Sequence, residues 1–235
     1  YFVSRGMEQL EYMTVRQSDD RAAVYIQKYF GCYCQAWGFK LSYVYTIYGD
    51  GSMDVSLNGR AVRNREFEPA FLPRIGVELY AAKPLWNVSW YGLGPGESYC
   101  DSRQAAIMGI YETDVDGMHT DYVKPQENGH REKAGWLAIC DREEGILIKA
   151  KEQFGFNVHD YTAEALRKAP YPRDIKREDY LILNLDYRQS GLGSNSCGQE
   201  QTESCKTPIE DFTMAFSIRP VKREEILSEA RTEYK

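Results

Sequence analysis

Leu41-Ser42-Tyr43-Val44-Tyr45-Thr46-Ile47-Tyr48-Gly49-Asp50-Gly51-Ser52-Met53-Asp54-Val55-Ser56-Leu57 is the stretch that decides the fold class. Leu41, Tyr43, Tyr45 and Ile47 alternate with Ser42, Val44, Thr46 and Tyr48, the period of a half-buried strand. Met53, Val55 and Leu57 alternate on the way back. Asp50-Gly51 lies between the two runs, which is a strong hairpin signal.

Further strands read outward from this hairpin. They fall at 75–80, 86–91, 136–140, 145–150, 180–188 and 211–219, and the turn 141–144 joins one pair of them. Helical signals are few. Residues 4–13 suit a short helix. Residues 162–169 suit two turns, with Thr162 as N-cap, Glu164 at the positive end of the dipole and Pro170 as the stop. Residues 221–235 read as a charged helix with Ile226, Leu227, Ala230 and Tyr234 as its apolar members. Many strands without strand–helix alternation predict an all-β, large antiparallel β-sandwich. The expected organisation is a lead-in at 1–20, one sandwich domain at 21–220 and a peripheral helical extension at 221–235.

Composition narrows the function classes. The net charge is −6, and the basic residues at 173–177 are interleaved with acids. Nucleic-acid binding needs a basic stripe, so it is not expected. The apolar runs are too short to span a bilayer as helices. Tyr occurs 18 times, which suits both strands and polar binding surfaces. The six cysteines are scattered, with no C-x-x-C pair, so zinc is not expected. Their low density in a chain of this size suggests free thiols and a reducing, cytoplasmic location. Asn87-Val88-Ser89 is a formal glycosylation sequon inside an apparent strand, and reads as chance. The chain begins at Tyr1 without Met, which suggests a piece of a longer chain or a processed subunit.

Three polar segments could carry chemistry. In 92–101, three glycines and a proline follow a strand, Glu97 and Asp101 can accept hydrogen bonds from sugar hydroxyls, and Tyr99 can stack on a sugar face. In 122–131, Gln126, Glu127, Asn128 and Arg131 supply the inventory for dense hydroxyl recognition. In 191–198, three glycines surround Ser194, Asn195 and Cys197, suiting a flexible loop at a cleft mouth. No helix follows this loop, which argues against a phosphate loop. Taken singly, each segment also reads as an ordinary surface turn.

In order and spacing, four motifs form a pattern: Leu72-Pro73-Arg74-Ile75-Gly76; Trp90-Tyr91-Gly92-Leu93-Gly94-Pro95 with Glu97, Tyr99 and Asp101; Tyr122-Val123 with Pro125-Gln126-Glu127-Asn128-Gly129; and Gly191-Leu192-Gly193. Across about residues 30–220 the pattern resembles the C-terminal, small-chain domain of glycoside hydrolase family 2 β-galactosidases. The resemblance implies a galactose mutarotase-like supersandwich that packs beside a catalytic barrel, of the same or a partner chain, and lends a loop to the rim of a β-galactoside site. It implies oligomerisation of the complete enzyme and no cofactor in this chain, any Mg or Na being held elsewhere. It also implies that both catalytic carboxyls lie on the barrel, the acid/base Glu following an Asn. This chain has no Asn-Glu dipeptide. In the best-known bacterial members the loop matching 191–198 sets a Trp against the sugar, whereas Cys197 and Gly198 stand at the nearest positions here.

Two other readings stay open, a stand-alone sugar-binding module and an aldose 1-epimerase. The second would need a His and a carboxylate placed for proton transfer. His119 and His130 flank the second polar segment, although histidines in loops are expected at the surface. Trp86, Trp90 and Trp136 lie on apparent strands and are expected in the core.

Overall fold

The computed structural model describes residues 6–32, 36–193 and 200–232. Its strands are β1 (Met7–Gln17), β2 (Arg21–Cys32), β3 (Trp37–Tyr48), β4 (Met53–Val62), β5 (Arg74–Ala82), β6 (Asn87–Gly94), β7 (Ile107–Asp114), β8 (Arg131–Cys140), β9 (Glu144–His159), β10 (Tyr180–Gln189) and β11 (Phe212–Lys222). The helices α1 (Val115–Met118), α2 (Ala163–Lys168) and α3 (Ile226–Ala230) are short.

The hairpin that decided the fold class forms as read. β3 and β4 pair antiparallel with Ile47 opposite Met53. Gly51 takes φ +82°, a left-handed conformation that favours glycine. Asp50 Oδ1 accepts from both the amide and the hydroxyl of Ser52, which pins the turn.

The trunk of the sheet is β9, which has 16 residues. β8 pairs along one edge from Gly145 to Phe156, while the other edge pairs with β11 over its first half and with β10 over its end. The main path runs β1-β2-β3-β4-β11-β9-β8-β6-β7, and β10 and then β5 branch from β9. The branch folds back over the main path. Leu181, Leu183 and Leu185 of β10, with Val77 and Leu79 of β5, pack against Val55 of β4 and Met214 and Phe216 of β11. Two antiparallel layers thus enclose one apolar core, which is the expected sandwich. Trp90 and Trp136 are buried as expected, and Trp86 packs against the core from its edge.

Strand alternation then generates a second face. Leu181, Leu183 and Leu185 point into the core, so Asn184 and Asp186 point away from it. Phe154, Phe156 and Val158 of β9 are core residues, so Asn157 and His159 share the face of Asn184 and Asp186. This polar face of the β9–β10–β5 branch is the floor of the site described below.

Three expectations are corrected. Residues 4–13 hold no helix among the described residues: 7–17 form β1, paired with β2 along its length. Met7, Leu10 and Met13 are spaced by three and so imitate a helical stripe, but all three are exposed. The stretch 92–135 is not one loop. It holds β7, an edge strand whose outward side chains leave little period to read, and the single turn α1. The C-terminal helix starts late, because β11 continues to Lys222 and a 3-10 turn follows. It is docked, since Ile226 is buried with Trp136, Leu147 and Val221. Leu227 is exposed, and Tyr234 lies outside the described residues.

Gly59 gives a test of the packing. Its register partner Phe212 lies across it, and a Cβ there would overlap the Phe212 ring. Gly59→Ala should lower the unfolding free energy by about 1–3 kcal/mol. Gly49→Ala, in the hairpin turn with nothing within 4 Å of the added carbon, should change it by less than about 0.5 kcal/mol. Urea denaturation of both variants checks the contrast.

Candidate functional site

Asp186 is 1% exposed on the polar face and accepts a 2.8 Å hydrogen bond from Arg74 Nη2 across β5 and β10. Gly76 lies opposite Asp186 in the register, and any side chain there would collide with Asp186 and its backbone. A chain of amides continues from this pair. Asn184 Nδ2 donates to Asn157 Oδ1 at 2.8 Å, and Asn157 Nδ2 donates to Glu127 Oε1 at 3.2 Å. The Tyr99 hydroxyl donates to the same oxygen at 3.4 Å, and Arg74 Nη2 lies 3.9 Å from it.

The three polar segments meet over this floor, tied to one another through backbone groups. Ser98 N donates to His130 O at 2.8 Å, and Ser98 Oγ accepts from Glu132 N. Glu97 accepts from Gly129 N through one oxygen and from the Tyr122 hydroxyl through the other. Arg131 Nε donates to Pro95 O, and its guanidinium lies 5.3 Å from the Trp90 ring centroid. Asp101 accepts from Leu192 N at 3.1 Å and from Gly193 N at 2.7 Å. One carboxylate thereby fastens the start of the third segment to the first.

This geometry sorts the candidates. Tyr99 is fully buried, so the expected stacking on a sugar is corrected: the ring is a pillar under Glu127. Asn128 is also buried. Its Oδ1 accepts from Thr120 N and the Tyr161 hydroxyl while its Nδ2 donates to Gln126 O, so it holds the loop. Arg131 is 2% exposed and braces 92–101. Glu97 and Asp101 spend both oxygens on loop groups. Gln126 is exposed, and the Glu127 side chain is 34% exposed above the buried network. Ser194, Asn195 and Cys197 lie outside the described residues.

The histidine expectation is corrected too. His130 and His159 are 1% and 6% exposed, because the loop 119–131 folds down onto the polar face and carries His130 with it. His159 Nε2 meets Asn128 O at 3.1 Å, and its ring stacks on Tyr161 at 4.5 Å. His119 Nδ1 lies 2.7 Å from the Tyr161 hydroxyl. Burial sets the titration of the cluster. It holds His130 well below the ordinary histidine value, and the Arg74 and Arg131 charges add to that. It lowers His159 to about 3 and raises Asp186 to about 6. Burial also raises Glu127, against the opposing pull of Arg74. Arg74, Asn157, Asn184 and Asp186 were not among the expected site residues. Their signal was present, as polar side chains at alternate positions of apolar strands.

Cys100 and Cys205 form a disulfide, with Cα atoms 5.7 Å apart. Cys32 and Cys140 are free among the described residues. The expectation of free thiols throughout is thus corrected: loops 105 residues apart in sequence converge beside the site and bring these two together. The ground for expecting a reducing, cytoplasmic location falls with it. Asn87 of the sequon is engaged, donating to Cys140 O and Asp141 O. Among the described residues no helix is long and apolar enough to cross a membrane, and no cluster of His, Cys, Asp or Glu could hold a metal ion.

The fold is a galactose mutarotase-like sandwich. Galactose 1-epimerase from Lactobacillus acidophilus superposes with a TM-score of 0.50 at 6% identity, over 89% of this chain and 66% of the epimerase. That likeness concerns the fold alone. The sequence gives the family: residues 3–218 match the family described as beta galactosidase small chain, and the protein belongs to it. The β-galactosidase of Actinobacillus pleuropneumoniae is 36% identical over 174 residues, 74% of this chain and 16% of that enzyme. That of Staphylococcus xylosus is 30% identical over 66% of this chain and 16% of that enzyme. That of Kluyveromyces lactis is 29% identical over 77% and 17%. The chain therefore spans about one sixth of the length of these relatives.

His159 yields a pH prediction. Its folded pKa, about 3, lies below the ordinary value of about 6.5. Above that ordinary value both states are neutral. As pH falls below it, the unfolded chain binds a proton that the folded chain refuses, so stability is lost with falling pH until the folded group also titrates. His159→Gln, which can still donate toward Asn128 O, should flatten the acid loss by up to about 1.4 kcal/mol per pH unit between about pH 6 and 4. Denaturant titrations of both proteins across that range check the slope.

Proposed function

We propose that this chain is the part of a β-galactosidase that walls the active-site cleft and supports assembly, while the hydrolytic carboxyls stand on a catalytic barrel outside it. The substrate class is terminal β-D-galactosides such as lactose. The observation that carries the reading is the convergence of the three polar segments, with Asp101 fixing the start of the 191–198 loop. Gln126 and Glu127 are the exposed groups placed to meet hydroxyls at the rim. The sequence has Cys197 and Gly198 where the resemblance places a stacking Trp, so aromatic contact with the leaving group is weak or supplied by the partner. The chain brings no cofactor of its own to the cleft.

Retaining glycosidases hold two carboxyls about 5–5.5 Å apart, one as nucleophile and one as acid/base. The carboxylates of this site serve other partners: Asp186 pairs with Arg74, and Glu97 and Asp101 hold loops. The sequence also lacks the Asn-Glu pair of the family's acid/base. Both points support placing the chemistry elsewhere.

The test uses the complete β-galactosidase that contains this chain. Asp101→Ala should raise KM for a nitrophenyl galactoside about tenfold, equivalent to the loss of about 1.4 kcal/mol of binding, and leave the unfolding midpoint nearly unchanged. The chain produced alone should not turn the substrate over. Turnover by the purified chain, or wild-type kinetics in the Asp101 variant, overturns the reading.

A further inference from the structure

Cys100 and Cys205 fasten two polar segments at one point. Gly191 N donates to Cys205 O at 2.9 Å, so the chain that leaves β10 is joined to the chain that returns before β11. Asp101, next to Cys100, accepts from Leu192 N and Gly193 N. Residues 191–193 are therefore held from two sides, by Asp101 directly and through Cys205, which is bonded to Cys100. Neither cysteine belongs to an apolar core cluster. The bond joins loops and is not a staple of the sandwich.

The two sulfurs are not equally reachable. Cys205 is 7% exposed. Cys100 is half-buried and lines a cleft of about 250 Å³ to which Cys205 does not contribute. A small molecule in this cleft meets the bond from the Cys100 side.

The cleft is cationic. Arg103, Lys133 and Arg188 line it, against Glu132 and Asp186. Both carboxylates are engaged, Glu132 by Arg103 at 2.7 Å and Asp186 by Arg74 at 2.8 Å. Arg188 has only Glu210 near it, at 3.9 Å. Lys133 is exposed, and no ion pair holds it among the described residues. It takes φ +56° where the β8–β9 register shifts between Arg131 and Ala134. A lysine in this left-handed region is uncommon, and it persists only where the surroundings fix it. Here the bulge sets an unpaired ammonium in the wall of a cleft that ends at a disulfide.

We propose that the Cys100–Cys205 bond is a thiol–disulfide exchange site, entered through this cleft at Cys100 by a small carboxylate-bearing thiol, and that its opening releases residues 191–193. The incoming thiolate bonds to Cys100 Sγ, and the bond between the two cysteine sulfurs breaks. Its electron pair leaves on Cys205, which takes a proton from water. A second molecule of the thiol attacks the reagent's sulfur in the mixed disulfide. Cys100 is released as a thiol and the reagent departs as its own disulfide. Two electrons thus pass from two reagent thiols to the protein. Lys133 and Arg188 attract the reagent's carboxylate and stabilise its thiolate. Asp101 alone then holds Leu192 and Gly193. The proposal does not use the rim reading.

The experiment uses the complete β-galactosidase that contains this chain. Alkylation and digestion without reductant should yield a peptide pair linked through Cys100 and Cys205, and free alkylated cysteines at both positions overturn the proposal. The enzyme is then treated at low salt with mercaptopropionate or with cysteamine, and mixed disulfides are mapped by mass. Each rate is divided by that thiol's rate with hydroxyethyl disulfide, which removes intrinsic nucleophilicity. The anionic thiol should react about tenfold faster on this scale, and about 0.5 M salt or Lys133→Ala should remove most of the difference. Equal rates, faster reaction of cysteamine, or a mixed disulfide on Cys205 overturns the route. Hydrogen exchange of peptides covering residues 191–193 should accelerate about tenfold on opening. The double variant Cys100→Ser with Cys205→Ser should show that faster exchange without any thiol and no response to one. Unchanged exchange in the opened enzyme overturns the release.

Discussion

Arg74 and Asp186 meet at 2.8 Å across β5 and β10, with Asp186 closed off from solvent. A buried charge pair of this kind is held only where its geometry and surroundings satisfy it, and removing one partner typically costs about 3–5 kcal/mol. The surroundings here are the site itself. Glu127 leans toward the guanidinium, Asn157 and Tyr99 orient Glu127, and His130 approaches the same Asp186 oxygen that Arg74 holds. The pair ties the branch strands together. It also fixes the charge pattern under every loop that crosses them. Gly76 is part of the same constraint, because any larger residue would separate the strands at Asp186.

The loops above the pair keep their shape by a different economy. They lie outside the strand ladders, so their backbone groups need other partners. Side chains from neighbouring loops provide them. Glu97 serves Gly129, Ser98 serves Glu132, Asp101 serves Leu192 and Gly193, and Asn128 serves Thr120. A polar residue in such a loop is therefore more often a strut than a ligand. This explains why Tyr99, Asn128 and Arg131, chosen for their chemistry, turn out to be interior.

Much of the fold was legible. The β3–β4 hairpin, the β8–β9 pair, α2 with its Thr162 cap and the Leu-rich β10 follow from period, turn residues and capping chemistry. β1 and β7 were not legible, because each is an edge strand whose pairing is decided by a neighbour rather than by its own pattern. The convergence of the polar segments came from resemblance, since periodicity cannot bring Asp101 to Leu192, 91 residues away. The floor of the site could have been found. In Leu181-Ile182-Leu183-Asn184-Leu185-Asp186 the leucines claim one face, so a polar partner layer must meet Asn184 and Asp186 on the other.

The carboxylates of this chain support the proposal that hydrolysis takes place outside it. A nucleophilic carboxylate must be ionised, reachable and free to leave its ground-state partners. Asp186 is buried against Arg74 and is not reachable. Glu97 and Asp101 are reachable only at the expense of the loops they hold. Glu127 is reachable, but it stands over a guanidinium, an amide and a phenol that spread its charge rather than sharpen it. These carboxylates hold the site's shape, and that arrangement fits a surface that positions a sugar for carboxyls presented from across the cleft. The proposed division of labour, with shape lent by this chain and chemistry by carboxyls outside it, rests on that arrangement.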